Sequence, residues 1–241
     1  MEEKEKKKIV FSLLFPVLFV AVLWLVKLIE WEFELNFAPF GILPRTISGL
    51  QGILFSSFIH GSWSHLINNS IPLLILGTSL FYFYKEIAFR VAIWSFLLAG
   101  FYTWISARMN YHIGASGLVY SLFGFILFSG FIRKNIHLIS ISFLVAFLYG
   151  SLVWGIIPWD KTMSWEGHFW GLVIGIVLAF FYKKLGPQAK KYLWELEEDE
   201  EEIEANEENL LGDYVDFEEI KTTNHSAKDD VEIVYEIKSK K

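Results

Sequence analysis

The sequence predicts an all-α membrane protein of six spanning helices followed by an acidic cytoplasmic tail. Three observations predict it. Apolar residues fill 54% of the 241 positions, and aromatic residues 18%. Charge is segregated: residues 1–191 hold 16 Lys and Arg against 9 Asp and Glu, whereas residues 192–241 hold 5 against 18. Six apolar stretches lie at about 9–29, 66–84, 88–107, 116–132, 136–157 and 168–183. Most approach the ~20 residues that cross ~30 Å of hydrocarbon as a helix, the open-ended structure that satisfies its own backbone in lipid. The division is therefore a membrane domain at 1–191 and an acidic, disordered cytoplasmic tail at 192–241. Whole-chain disorder, a coiled coil and a nucleic-acid binder are excluded. The absence of cysteine excludes disulfides, thiolate zinc sites and a Cys nucleophile.

Each element has its own signal. The first stretch follows Lys4, Lys6, Lys7 and Lys8 and is about 21 residues long. Glu30-Trp31-Glu32 follows it in place of a small-residue cleavage site, so it reads as a retained span. The connection from about 30 to 65 contains GLQGILFSSFIH (49–60), apolar but too short to cross, which suits an interfacial or re-entrant segment. The fourth stretch is short and follows a polar loop, Arg108 to Ala115. That loop enters the membrane only inside a protein-lined cavity. Counting loop cations gives orientation. Twelve (Lys4, Lys6, Lys7, Lys8, Lys85, Arg90, Arg133, Lys134, Lys183, Lys184, Lys190, Lys191) fall on one side, and four (Lys27, Arg45, Arg108, Lys161) on the other. Cations mark the cytoplasmic side, so both termini are expected there. Spans two, four and six then begin at the outer face. In the tail, 195–208 (ELEEDEEEIEANEE) reads as solvated like charge, part of 192–211 as compatible with a helix, and 231–238 (VEIVYEIK) alternates weakly like a strand. The tail reads as a solubilising segment or as the site of a cytoplasmic partner.

The unusual residues of the membrane domain are His60, His65, Asn69, Ser116 and His168. Ionisable and strongly polar groups in spans are costly and are candidates for function. HGSWSHLINN sets His60, His65 and Asn69 around the start of span two, with His65 and Asn69 four apart on one helix face. Ser116 lies in GASG at the start of span four, and His168 in GHFWG at the start of span six. The orientation puts all of them in one outer layer. Ser116 and His168 suggest a nucleophile and its base, which must meet at ~2.6–3.2 Å. Helices come that close when the residues between them are small. Gly167, Gly171 and Gly175 form such a stripe, and Gly117, Ser121 and Gly124 follow the serine. Gly114 and Gly117 permit a tight turn around Ser116. Backbone N–H groups of a helix start, with His65 and Asn69, suit an oxyanion hole. Tyr120, one turn below Ser116, is placed to pack on the His168 ring.

Each residue also has a plainer reading. A glycine stripe alone is packing, Asn69 alone an interhelical hydrogen bond, and His60 an anchor for the outer connection. His112 reads as a loop residue and His137 as interfacial. Glu166, two residues from His168, does not share its helix face and reads as loop or surface. The plainer readings give way only to the combination in one layer. An HExxH metalloprotease is excluded because Gly61 and Leu66 follow the first two histidines. A two-aspartate protease is excluded because Asp160 is the only Asp before 199. A histidine zinc site and a transporter remain as minor alternatives.

The combination resembles the rhomboid family of intramembrane serine proteases. The family pattern HxxxxHxxxN matches His60, His65 and Asn69; GxSG matches Gly114 to Gly117; a tyrosine four residues on matches Tyr120; and HxxGxxxG matches His168, Gly171 and Gly175. The resemblance spans about residues 9–185. It implies a six-helix rhomboid-like bundle, Ser116 as nucleophile, His168 as general base without a carboxylate, and His65 and Asn69 assisting the oxyanion. It implies single-span membrane proteins as substrates, cut in or beside the span, and no cofactor or metal. A non-catalytic rhomboid-like protein that binds membrane clients is the alternative. The Trp-Arg pair frequent in the family's first outer loop is not recognisable, Pro44-Arg45 being nearest, and Gly167 stands where alanine is frequent. The expected location is a bacterial plasma membrane, with the site open to the outer side.

Overall fold

In the computed structural model, residues 3–148, 155–157, 163–187 and 206 are described. The helical and strand-like readings of 192–211 and 231–238, and the acidic tail with them, lie outside these residues apart from Asn206.

The described chain is helical, in the order α1 (Glu3–Glu32), α2 (Gly52–Phe55), α3 (Trp63–Phe83), α4 (Ala88–Ser106), α5 (Ser116–Ile132), α6 (Ile136–Leu148) and α7 (Trp165–Phe181). Helices α1, α3 and α4 are long and apolar enough to cross a membrane; α5, α6 and α7 are shorter apolar helices. The outward faces are apolar too: Val10, Leu14, Leu18 and Leu25 on α1, Phe143 and Phe147 on α6, and Val177 and Phe181 on α7 are exposed. Large apolar side chains facing outward around a packed core are what a lipid solvent requires. This is an integral membrane protein.

Three helices, α1, α3 and α7, begin ahead of their apolar stretches. Helix α1 begins at Glu3 rather than near residue 9, because its Lys-rich start is a good helix former and carries the Lys7–Glu3 ion pair at 2.7 Å. Helix α7 begins at Trp165, so His168 sits nearly one turn inside it rather than at its first residue. Helix α3 starts where Ser62 Oγ accepts from the His65 N–H at 3.1 Å, a capping bond. Pro72 interrupts the α3 ladder, since a proline cannot donate to the carbonyl four residues back.

Helix α5 lies at the centre, packed most closely on α7 and also on α3, α4 and α6. Leu66, Leu73 and Leu76 of α3 and Val119, Leu122, Phe125 and Ile126 of α5 belong to one buried core. At the far end of α5 the Arg133 guanidinium is 2% exposed and donates at 2.6 Å to the carbonyls of both Tyr182 and Leu185. It also donates to Ser129 Oγ, which accepts from Tyr84 OH at 2.7 Å. A cation among helix-end carbonyls answers both its own desolvation and their unpaired oxygens.

The long connection after α1 is ordered. It holds 3-10 turns at Ala38–Phe40, Ser48–Gln51 and Ser56–Phe58 around α2. The apolar 49–60 segment is thus a chain of short helical turns. Glu30 accepts from the Phe37 N–H at 3.1 Å and pairs with Lys27 at 2.7 Å. Arg45 donates to the Ala107 carbonyl at 2.7 Å, and Trp104 Nε1 donates to the Thr46 carbonyl at 2.9 Å. Ile42 and His112 exchange backbone hydrogen bonds at 2.9 and 3.0 Å. The connection is thereby fastened to the end of α4 and to the loop entering α5.

Candidate active site

Ser116 is the first residue of α5 and is approached through a turn that glycine makes possible. Gly114 has φ +109°, a region L side chains avoid, and its N–H donates to Ser56 O at 2.8 Å. A Cβ there would stand 2.5 Å from the His65 ring. The turn therefore admits the imidazole of His65 against the backbone just before the serine.

His168 reaches Ser116 from α7. Its Nε2 is 2.8 Å from Ser116 Oγ, and its Nδ1 is 2.8 Å from the Gly155 carbonyl oxygen. A carbonyl only accepts, so Nδ1 carries the proton and Nε2 presents its lone pair to the serine hydroxyl. The tautomer follows from the bond partners. Tyr120 stacks on the His168 ring, centroids 4.3 Å apart and planes 13° from parallel, which fixes the ring's tilt. The helix approach rests on the glycine stripe. A Cβ on Gly171 would overlap the Gly117 carbonyl oxygen, and one on Gly175 the Ser121 carbonyl oxygen. Gly167 stands against α4 and the loop before α7, with Thr103 Oγ1 and Ser164 Oγ nearest.

A cavity of about 330 Å³ opens over the pair, lined among others by His65, Asn69, Ser116, Tyr120 and His168. Asn69 is buried, and its Nδ2 has no hydrogen-bond partner among the described residues. A buried amide donor left unpaired beside a serine suits an anion that forms only during reaction. His60 is set back from the cavity. Its ring packs edge-on against His65, centroids 5.0 Å apart, and its Nε2 accepts from the Ala115 N–H at 3.4 Å. It thus braces the residue before Ser116, in keeping with an anchor. Burial, with His65 and Lys27 nearby, lowers the His60 pKa to about 3.

Three residues near the site have roles that the sequence does not signal. Glu166, read as loop or surface, is buried at 6% exposure in the first turn of α7. It accepts from the Arg108 N–H at 3.3 Å and pairs with Arg108 Nε at 3.5 Å. His112 is a loop residue but a buried one. Its Nδ1 is 2.6 Å from Ser164 Oγ and its Nε2 3.0 Å from the Arg108 carbonyl, and burial lowers its pKa. The Gly155 carbonyl that orients His168 has no side chain to signal it. Among the described residues no three His, Asp or Glu side chains gather as a metal site.

Comparison with known proteins agrees with this picture at the level of family. The family model described as the Rhomboid domain matches residues 48–185. The chain is 36% identical over 174 residues to an uncharacterized protein of Mycobacterium tuberculosis, covering 67% of this chain and 71% of that one. It is 33% identical to an uncharacterized protein of Mycobacterium leprae, covering 67% and 68%. It is 27% identical over 171 residues to RHOMBOID-like protein 4 of Arabidopsis thaliana, covering 64% of this chain and 42% of that one.

Proposed function

The chain belongs to the rhomboid family of membrane proteins, and from that premise we propose that it is an intramembrane serine endopeptidase working through a Ser116–His168 dyad. The observation that carries the reading is the 2.8 Å contact between Ser116 Oγ and a His168 Nε2 whose other nitrogen donates to Gly155. Helices α1 and α3 to α7 are the six spans, both ends are cytoplasmic, and the cavity opens outward. The cation count of the loops supports that orientation. Residues 1–191 are the membrane domain, residues 192–241 a cytoplasmic tail, and the mycobacterial relatives favour a bacterial plasma membrane. Substrates are single-span membrane proteins, cut in or beside the span.

The chemistry follows from the positions. Ser116 Oγ attacks a peptide carbonyl carbon while His168 Nε2 takes the hydroxyl proton. The carbonyl oxygen becomes an oxyanion, received by the N–H of the α5 start and the side chains of Asn69 and His65. Collapse breaks the C–N bond, and His168 returns the proton to the leaving amine. Water from the cavity attacks the remaining ester, giving its proton to His168 and freeing the carboxylate and Ser116. A substrate carbonyl inside a helix is already hydrogen-bonded, so helix-weakening Gly or Pro near the cut lowers the cost of exposing it.

The test is cleavage of a model single-span substrate by protein reconstituted in liposomes. Wild type cleaves, and Ser116→Ala and His168→Ala each abolish cleavage with folding intact. Cleavage by Ser116→Ala at the wild-type rate would remove the serine from the mechanism. A wild type inert toward a panel of such substrates favours the client-binding alternative.

A further inference from the structure

The loop that delivers Ser116 and the segment that delivers His168 are tied to each other away from the reacting atoms. Arg108 is the cation of the tie. Its backbone N–H donates to Glu166 Oε1 at 3.3 Å, its Nε lies 3.5 Å from the same oxygen, and its guanidinium donates to the Met163 carbonyl. His112 adds a second strand, reaching Ser164 Oγ at 2.6 Å and the Arg108 carbonyl at 3.0 Å. The Arg108 carbonyl contact braces the loop itself, and the others join residues 108–112 to residues 163–166. Ser116 follows four residues after the first group, and His168 two after the second.

Burial makes this tie strict. The Glu166 side chain is 7% exposed and that of Arg108 33%. A carboxylate so buried is tolerated only with its charge partner; both Arg108 contacts fall on Oε1, and Oε2 has no hydrogen-bond partner among the described residues. Glu166 does not reach the reacting atoms itself: its contacts run to Arg108, while His168 is oriented by Gly155 and Tyr120. Small shifts matter at such a site, since about 1 Å of misplacement can lower a rate ~100-fold.

We infer that Arg108 and Glu166 are positioning residues, an ion pair that sets the register between the entry to α5 and the start of α7 and so holds Ser116 Oγ and His168 Nε2 in contact. This rests on the dyad proposed above. The pair's asymmetry gives it a signature. Removing the cation strands a buried carboxylate, whereas removing the carboxylate leaves a cation that water can still reach. Arg108→Met is therefore the more damaging single change, and Glu166→Gln placed on top of it restores part of the loss.

The experiment follows both fluorophosphonate labelling and cleavage of a single-span substrate, per mole of monodisperse protein in detergent. Wild type, Ser116→Ala and His168→Ala are run alongside. Wild-type labelling that Ser116→Ala and His168→Ala each abolish establishes the dyad; its absence sinks that reading and this inference with it. Given an active wild type, Glu166→Gln is expected to lower the labelling rate and kcat by about ten- to hundred-fold with KM within two-fold, as for groups that orient a reacting side chain. Arg108→Met falls further, and the double variant labels faster than Arg108→Met alone. Should Arg108→Met not fold, Arg108→Gln, which removes the charge but keeps a polar side chain, replaces it with the same order expected. Wild-type labelling by Glu166→Gln, or a double variant no faster than the Arg108 single variant, overturns the proposal.

Discussion

Substituting one glycine on α7 should disable the site without touching a reacting group. Gly171 faces Gly117, the residue after the proposed nucleophile. A methyl on Gly171 would overlap the Gly117 carbonyl oxygen and stand 3.1 Å from both the Gly117 carbonyl carbon and the Tyr120 Cβ. None of these atoms can swing aside, because two are backbone and the third is fixed to it. Relief requires α5 and α7 to move apart by about 1 Å, since packed interiors hold no spare volume. That carries the Ser116–His168 contact from 2.8 Å to about 3.8 Å, past the ~3.2 Å limit of proton transfer. The overpacking costs roughly 1–3 kcal/mol of stability, and the misplacement about 100-fold in rate. Gly171→Ala should therefore remain folded in detergent, with a modestly lower Tm, while its fluorophosphonate labelling falls about 100-fold. Val177→Ala, a change at an outward-facing position of the same helix, should label as wild type does. Gly171→Ala labelling at the wild-type rate would refute the claim that glycine packing sets the dyad distance.

Two further outcomes are expected. Asn69→Ala removes a buried donor aimed at the cavity, so kcat should fall about 100- to 1,000-fold with substrate affinity nearly unchanged; a loss confined to KM would make Asn69 a binding residue. The loop histidines make stability pH-dependent. Burial holds His60 at about 3 and lowers His112, so both stay neutral in the folded protein while unfolded histidine protonates below about pH 6.5. Stability should be complete above that value and decline as pH falls toward 3. A Tm that is level between pH 7 and 8 and drops from pH 6 to 4 is the expected profile. His60→Asn should flatten it, and an unaltered slope in that variant would contradict the assignment.

Much of the fold was legible because lipid imposes a simple rule. Residues 66–84, 88–107 and 116–132 were marked by hydropathy alone, and α3, α4 and α5 fall within three residues of those limits. Helix α7 does so for 168–183 as well, whereas the start of α1 was less legible, since charged Lys and Glu at 3–8 continue a helix that hydropathy counting stops short of. The stacking of Tyr120 on His168 followed from four-residue spacing and glycine-assisted packing. What escaped was the meeting of the loop before α5 with the start of α7. Arg108 and Glu166 are 58 positions apart and carry no local pattern linking them. Glu166 reads as loop or surface because helix geometry separates it from His168, a sound rule that says nothing about a partner from another element. The backbone oxygen of Gly155 leaves no trace in residue type at all.

The central claim is that Ser116 Oγ is a nucleophile made reactive by His168. Labelling of the detergent-solubilised protein with a fluorophosphonate, followed by peptide mapping of the adduct, tests it without a known substrate. The adduct should sit on Ser116, and labelling should vanish in both Ser116→Ala and His168→Ala. Equal labelling of wild type and Ser116→Ala, or an adduct mapped to another residue, would contradict the account.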